Sequence, residues 1–201
     1  MCLYDYKKLK LEEPLTVYKV VVKTCDGYVS PYHSYPWEIG KTEICEGPVD
    51  MCYNKYGFEL TGGAFHTYKY LEDAIWHLRI FSFGSKLEYA VGKFTIPTDA
   101  EVYFGKASIG EWSYASTMLT MEEEVVISAE DINAVSRYRC FVKYNTCGWP
   151  KDKEQAEEVK RAAEKYAMTS SDLNDTDKEN VISNINKISE EYYRYKGWAT
   201  S

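Results

Sequence analysis

A histidine at the point where a short strand gives way to a helix can move a proton near neutral pH. It can also hold a ligand group against the backbone donors that open the helix. His66 has that position in Gly62-Gly63-Ala64-Phe65-His66-Thr67-Tyr68-Lys69-Tyr70-Leu71, where a glycine pair leads into a short apolar run and then a helical pattern. His77 follows on that helix beside Trp76, off the apolar face, so a solvated position is expected. His33, the last of the chain's three histidines, sits in the aromatic loop Ser30-Pro31-Tyr32-His33-Ser34-Tyr35-Pro36, suited to lining a pocket. No Ser/His/Asp or Cys/His triad can be assembled, because no G-x-S-x-G context is present. Gly62-Gly63 and Gly105-Lys106-Ala107 lack the spacing of phosphate loops. For His66 the competing role is a corner residue that anchors strand to helix by hydrogen bonds.

A second group lies in Tyr114–Ile127, where the Ser116-Thr117 pair and the run Glu122-Glu123-Glu124 lead into an apolar strand. Together they superficially resemble ADP-ribosyltransferases. That resemblance implies NAD as cofactor, Glu122 or Glu124 on its ribose, and Tyr18 and Lys19 near it. The pattern departs from that family in two ways: Lys19 stands where the first-strand arginine belongs, and Thr117 lies too close to the glutamates. The same residues also read simply as an acidic turn ahead of a strand. The candidates are thus His66, Glu122 and Glu124 for catalysis, and Tyr18, Lys19, His33 and His66 for ligand binding.

These residues depend on the elements that carry them. Leu15–Thr24 is rich in β-branched residues and ends at Cys25-Asp26-Gly27, which marks a strand and a turn. One short strand around Trp37–Ile44 fits between Pro36 and Gly47, and Met51–Leu60 is ambiguous, suited to a long loop. Ala64–Thr67 reads as a short strand. Leu71, Ala74, Ile75 and Leu78 then recur at helical spacing, with Glu72 and Asp73 at the favoured end and Gly84 as a stop. Strands are expected over 87–96, 101–104, 114–119 and 124–128, and Arg137–Tyr144 reads as a last strand.

All six prolines and eleven of the twelve glycines lie at or before residue 150. Beyond it the pattern is helical and charged. Ala156, Val159, Ala163 and Tyr166 mark one helix, and Val181, Ile185, Ile188 and Tyr192 mark another. Thr176 and Glu179 suit a capping box and Gly197 a stop. The expected architecture is α+β: a mostly antiparallel β-rich body over 1–148 with one main helix, then an α-helical hairpin over 149–201. The hairpin's stripes are thin, so it must pack on the body or on a partner, and self-association through it is expected.

Bulk properties narrow the function. A net charge of −7 disfavours binding to nucleic-acid backbones, so no nucleic acid is expected. No apolar stretch is long enough to span a membrane. The opening Met-Cys-Leu-Tyr-Asp-Tyr-Lys-Lys has no apolar run after its lysines, which points to a cytoplasmic, reducing compartment. The six cysteines have no metal-site spacing and read as free thiols, and no metal is expected. Tyrosine, at 19 residues, suits both pleated β surfaces and a recognition surface.

The order Tyr18-Lys19, then Gly63–His66 before a helix, then Ile96-Pro97-Thr98-Asp99-Ala100, then Tyr114–Ser116, resembles a set of uncharacterised phage and gut-bacterial proteins over roughly residues 16–128. The resemblance implies a phage or prophage context, and hence the host cytoplasm, without transferring catalytic residues. The expected function is a binding or accessory module whose ligand or protein partner meets a tyrosine-rich surface near His66. The alternative is an NAD-using transferase of the ADP-ribosyl type.

Overall fold

The computed structural model describes residues 3–54, 57–107, 112–142, 149–171 and 173–199. The chain divides into two units, Met1–Ile127 and Ser128–Ser201. The first carries β1 (Leu3–Leu9), β2 (Leu15–Thr24), β3 (Gly27–Val29), β4 (Pro36–Trp37), β5 (Thr42–Ile44), β6 (Asp50–Asn54), β7 (Gly57–Gly62) and β8 (Phe65–Tyr68). Helix α1 (Leu71–Ser82) follows, then β9 (Tyr89–Ile96), β10 (Val102–Ala107), β11 (Trp112–Ser116) and β12 (Met118–Val125).

Among the described residues these strands form one antiparallel sheet, ordered β5-β12-β9-β2-β8-β11-β10-β1-β7-β6, with β3 paired to β2 and β4 to β3. The β2–β9 ladder is continuous from Leu15↔Ile96 to Val22↔Tyr89. By contrast β2 meets β8 at a single pair, Tyr18↔Tyr68. Side chains alternate between the two faces of a strand, and the two faces of this sheet have different covers. On one, Val17, Val21, Phe65, Phe94, Tyr114 and Met121 enter the main core, where Trp37 of the β3–β4 hairpin packs against Phe65 and Phe94. That indole is buried with its N–H donated to Ser30 Oγ at 3.0 Å. On the other face α1 lies against β2, β8 and β9, stacking His77 on Tyr68 and Phe81 on Tyr89.

The helix buries Ala74, Ile75 and Leu78 as its spacing requires, and buries Glu72 and Asp73 as well. His77 is stacked on a buried tyrosine rather than solvated. Met51–Leu60, ambiguous in sequence, contributes to the hairpin β6–β7. The single strand expected at Trp37–Ile44 is two, because Gly40 takes a left-handed turn, φ 82°, between them.

The second unit holds α2 (Ala129–Val142), α3 (Lys153–Thr169) and α4 (Asp175–Tyr195), with α2 and α3 both against α4. The strand expected at Arg137–Tyr144 is therefore helix through Val142, and residues 143 and 144 lie outside the described residues. The boundary moves with it, from residue 148 to 127. Helix α2 wins because Ser128 and Asp131 cap it reciprocally: Asp131 Oδ2 accepts from Ser128 N at 2.8 Å, and Ser128 Oγ accepts from Asp131 N at 3.1 Å. Tyr138 then stacks on Tyr192 at 3.8 Å, with Trp149 alongside. At α4 the cap is Asn174, accepting from Asp177 N, so Thr176 and Glu179 lie inside the helix and not at its cap. Gly197 follows α4 at φ 69°, as a helix stop does. No described helix is long and apolar enough to cross a membrane.

Candidate functional site

Gly63 sets the strand that carries His66. Its φ is 68° and its α-carbon lies under the 48–49 backbone so closely that a Cβ would fall 2.0 Å from Pro48 O. Glycine is required here by both conformation and space. From this corner β8 runs Phe65-His66-Thr67-Tyr68. Phe65 and Thr67 point to the core face, and His66 and Tyr68 to the α1 face.

The His66 ring makes no hydrogen bond. Both its nitrogens are buried and without a partner, so it does not anchor the strand–helix corner through hydrogen bonds. Burial, reinforced by the Lys19 charge, pushes its pKa down to about 3, and the imidazole is neutral throughout the physiological range. The sequence candidate is thus a neutral imidazole with one free donor and one free acceptor.

Lys19 stands on the opposite face, in line with Val17 and Val21. Where the β2–β8 ladder stops, its ammonium donates to the His66 carbonyl at 2.8 Å. No carboxylate pairs with it among the described residues, and burial lowers its pKa to about 8. Lys19 and the His66 ring therefore meet only through that carbonyl, one from each side of the sheet. Tyr18 shares the α1 face with His66. Burial raises its phenol, with Lys93 opposing and Glu72 and Glu123 assisting that rise.

The acidic run splits three ways. Glu122 is exposed at the irregularity between Met121 and Glu123, and Glu123 pairs with Lys93 at 2.9 Å. Glu124 turns to the core face, where Lys23 pairs with it at 2.7 Å and Tyr28 donates to it at 2.7 Å. Burial works to raise the Glu124 carboxyl, but these two donors outweigh it and hold the pKa below the usual range. Glu124 and His66 thus lie on different faces and strands. His33 is exposed at the tip of the β3–β4 hairpin, where His33 and Ser34 have φ 67° and 49°. This is a turn geometry, remote in register from His66.

Sequence reasoning missed an aromatic strip on the core face of β10 and β11, continued by the residues after β8. Phe104 and Trp112 stack at 4.9 Å with planes 9° apart, and Tyr114 lies 4.8 Å from Phe104. Lys69 reaches over the rings of Tyr70 and Phe104 at 5.2 and 5.3 Å, and Lys106 over Trp112 at 5.4 Å. Neither lysine makes an ion pair among the described residues. The available signal was the alternation of Phe104-Gly-Lys106 and Trp112-Ser-Tyr114, which places these side chains on one face once the strands pair as Lys106↔Trp112 and Phe104↔Tyr114. Among the described residues no cluster of His, Cys, Asp and Glu is arranged to hold a metal ion.

Comparison with family models, curated proteins and solved structures finds no match.

Proposed function

We propose that the β-rich unit is a binding module that takes a small anionic ligand with planar groups on the strip Tyr70, Phe104 and Trp112, which Tyr114 backs from the core. The observation that carries this reading is the pair of lysines, Lys69 and Lys106, held against aromatic rings with no carboxylate partner among the described residues. In a chain of net charge −7, cations set next to aromatic rings suit a ligand that brings both negative charge and a flat surface. His66 lies on the neighbouring strand, directly across from Ala115 of β11, but its ring faces α1, so this reading gives it no contact with a ligand on the strip.

NAD is a suitable probe, since it carries two planar bases and a diphosphate. Binding at tenfold excess over its Kd raises stability by about 1.4 kcal/mol, a few degrees of melting temperature. The expected result is that shift in the wild type, its loss in the Lys69→Ala/Lys106→Ala double variant, and no release of nicotinamide. Absence of any shift rejects the strip as a site for such ligands. Nicotinamide release abolished by Glu122→Gln or Glu124→Gln would instead favour the transferase alternative.

A further inference from the structure

Helix α1 carries a second apolar stripe besides the one that packs it to the sheet. Ala74, Ile75 and Leu78 form the inner stripe, against β2, β8 and β9. Trp76, Ile80 and Phe83 recur at i, i+4 and i+7, nearly opposite it around the helix axis. Phe83, the residue that ends the helix, is 90% exposed, and Ile80 is 50% exposed. The turn beyond adds Leu87, at 58%. Single apolar residues scattered on a surface carry no meaning, but these share one end of one helix.

The charge of this end has one sign. Residues 74–87 contain Arg79 and Lys86 and no carboxylate, in a chain of net charge −7. Arg79 lies over the Trp76 ring at 5.9 Å, and neither cation has an ion pair among the described residues. The acids of α1, Glu72 and Asp73, are buried at its other end, and Glu88, the next in sequence, is paired with Lys23 at 3.2 Å. An indole, a phenyl ring and aliphatic groups bordered by arginine and lysine match what a membrane surface offers, hydrocarbon beneath a layer of anionic headgroups.

We propose that this end of α1 is a docking surface for an anionic lipid bilayer. Phe83, Ile80 and Leu87 enter the headgroup boundary, and Arg79 and Lys86 stay at the lipid phosphates and carboxylates. A second copy of the chain fits less well. A stable dimer takes roughly 20–30 residues a side, whereas the patch consists of Trp76, Arg79, Ile80, Phe83, Lys86 and Leu87. Self-pairing also sets two cationic patches face to face. A folded partner needs a pocket shaped to so exposed a ring as Phe83, but lipid chains are fluid and close around it. Charges more than about 8 Å from the headgroups are screened at physiological ionic strength, so the local cations outweigh the net −7 of the chain. The surface lies on the α1 side of the sheet and the aromatic strip on the core face, so neither reading depends on the other.

The test is flotation of the full-length protein with vesicles of phosphatidylcholine alone and of phosphatidylcholine with about one third phosphatidylserine, in about 0.1 M salt. Binding to the phosphatidylserine vesicles is expected, with several-fold weaker binding to phosphatidylcholine alone. Phe83→Ser should weaken partitioning about tenfold, the loss for one buried apolar side chain. Arg79→Gln/Lys86→Gln should weaken it about fivefold per cation, or about 25-fold together. Lys10→Gln/Lys41→Gln removes the same charge from exposed lysines elsewhere in the unit and should float as the wild type does. Phe83, Arg79 and Lys86 are exposed, so the variants should fold, and circular dichroism checks this. No flotation with either vesicle, equal binding to both, equal losses in the two double variants, or wild-type flotation of Phe83→Ser overturns the proposal. So does self-association in light scattering that Phe83→Ser abolishes without any flotation, which assigns the face to a second copy instead.

Discussion

Replacing Gly63 with alanine tests whether the corner before His66 is set by close backbone contact or by backbone conformation alone. Gly84, past the end of α1, is the matched control: its φ is 72° against 68° at Gly63, but a Cβ on Gly84 meets nothing within 4 Å. Both substitutions force a Cβ into the left-handed region, at a cost of about 1 kcal/mol each. Gly63→Ala adds contacts of 2.0 Å to Pro48 O, 2.6 Å to Pro48 C and 2.7 Å to Val49 Cα. All three atoms are backbone, so no rotamer change relieves them and the 48–49 segment must retreat by more than an ångström. Overpacking of that kind costs roughly 2 kcal/mol more. With roughly 3–5 °C per kcal/mol for a domain of this size, Gly84→Ala should lower the melting temperature by about 4 °C and Gly63→Ala by about 12 °C. Thermal unfolding followed by near-ultraviolet circular dichroism reads both. Equal losses in the two variants would refute the close-contact argument and leave only the conformational term.

Three further outcomes follow from the same geometry. Lys19 has a folded-state pKa of about 8 against 10.5 unfolded, so between those values the unfolded chain binds the extra proton and stability rises with pH. From pH 8 to 9.5 wild type should gain about 2 kcal/mol in urea unfolding relative to Lys19→Met, and parallel curves would contradict the assigned burial. His66, lowered from 6.5 to about 3, likewise favours the unfolded chain as pH falls through 6.5. His66→Leu should be neutral or stabilising at pH 7 and should remove about 2 kcal/mol of the loss on going to pH 5, whereas a strongly destabilised variant at both pH values would mean that the ring is paired after all. A chain cut after Ile127 should remain folded and monodisperse in light scattering, while one cut after residue 148 strips Trp149 and Tyr192 from the buried Tyr138 and should aggregate; the reverse order of solubility would reject the placement of α2 in the helical unit.

Some of this was legible in the sequence, and for identifiable reasons. Strand β2 has the bounds its β-branched run dictates, because Val17, Val20, Val21 and Val22 are buried in a central strand. Helix α1 buries Ala74, Ile75 and Leu78 at the spacing that marked it. Helix α2 was misread because Arg137-Tyr-Arg-Cys-Phe-Val mimics a strand locally. Its true signal, Ser128 three residues ahead of Asp131 with Ile132, Val135 and Tyr138 following at three-residue steps, lies upstream of the misleading stretch. The site was less legible. Its place at a strand–helix corner singled out His66 and a resemblance singled out Lys19, but their meeting at one carbonyl depends on where the β2–β8 ladder stops, which is a property of pairing and not of either strand. The lysine–aromatic strip was invisible for the same reason: Lys69, Phe104 and Trp112 come together only across strands.

The lone Tyr18↔Tyr68 rung has a mechanical consequence. A load applied across a long ladder is shared by many bonds, but here the backbone offers one rung, and the Lys19 bond, the α1 helix on one face and the Trp37–Phe65–Phe94 packing on the other carry the rest. Backbone pairing thus divides the sheet into two parts at β2 and β8, with α1 as the splint and Lys19 as the clasp. Hydrogen exchange is expected to reach the amides beside this seam before those of the continuous β2–β9 ladder.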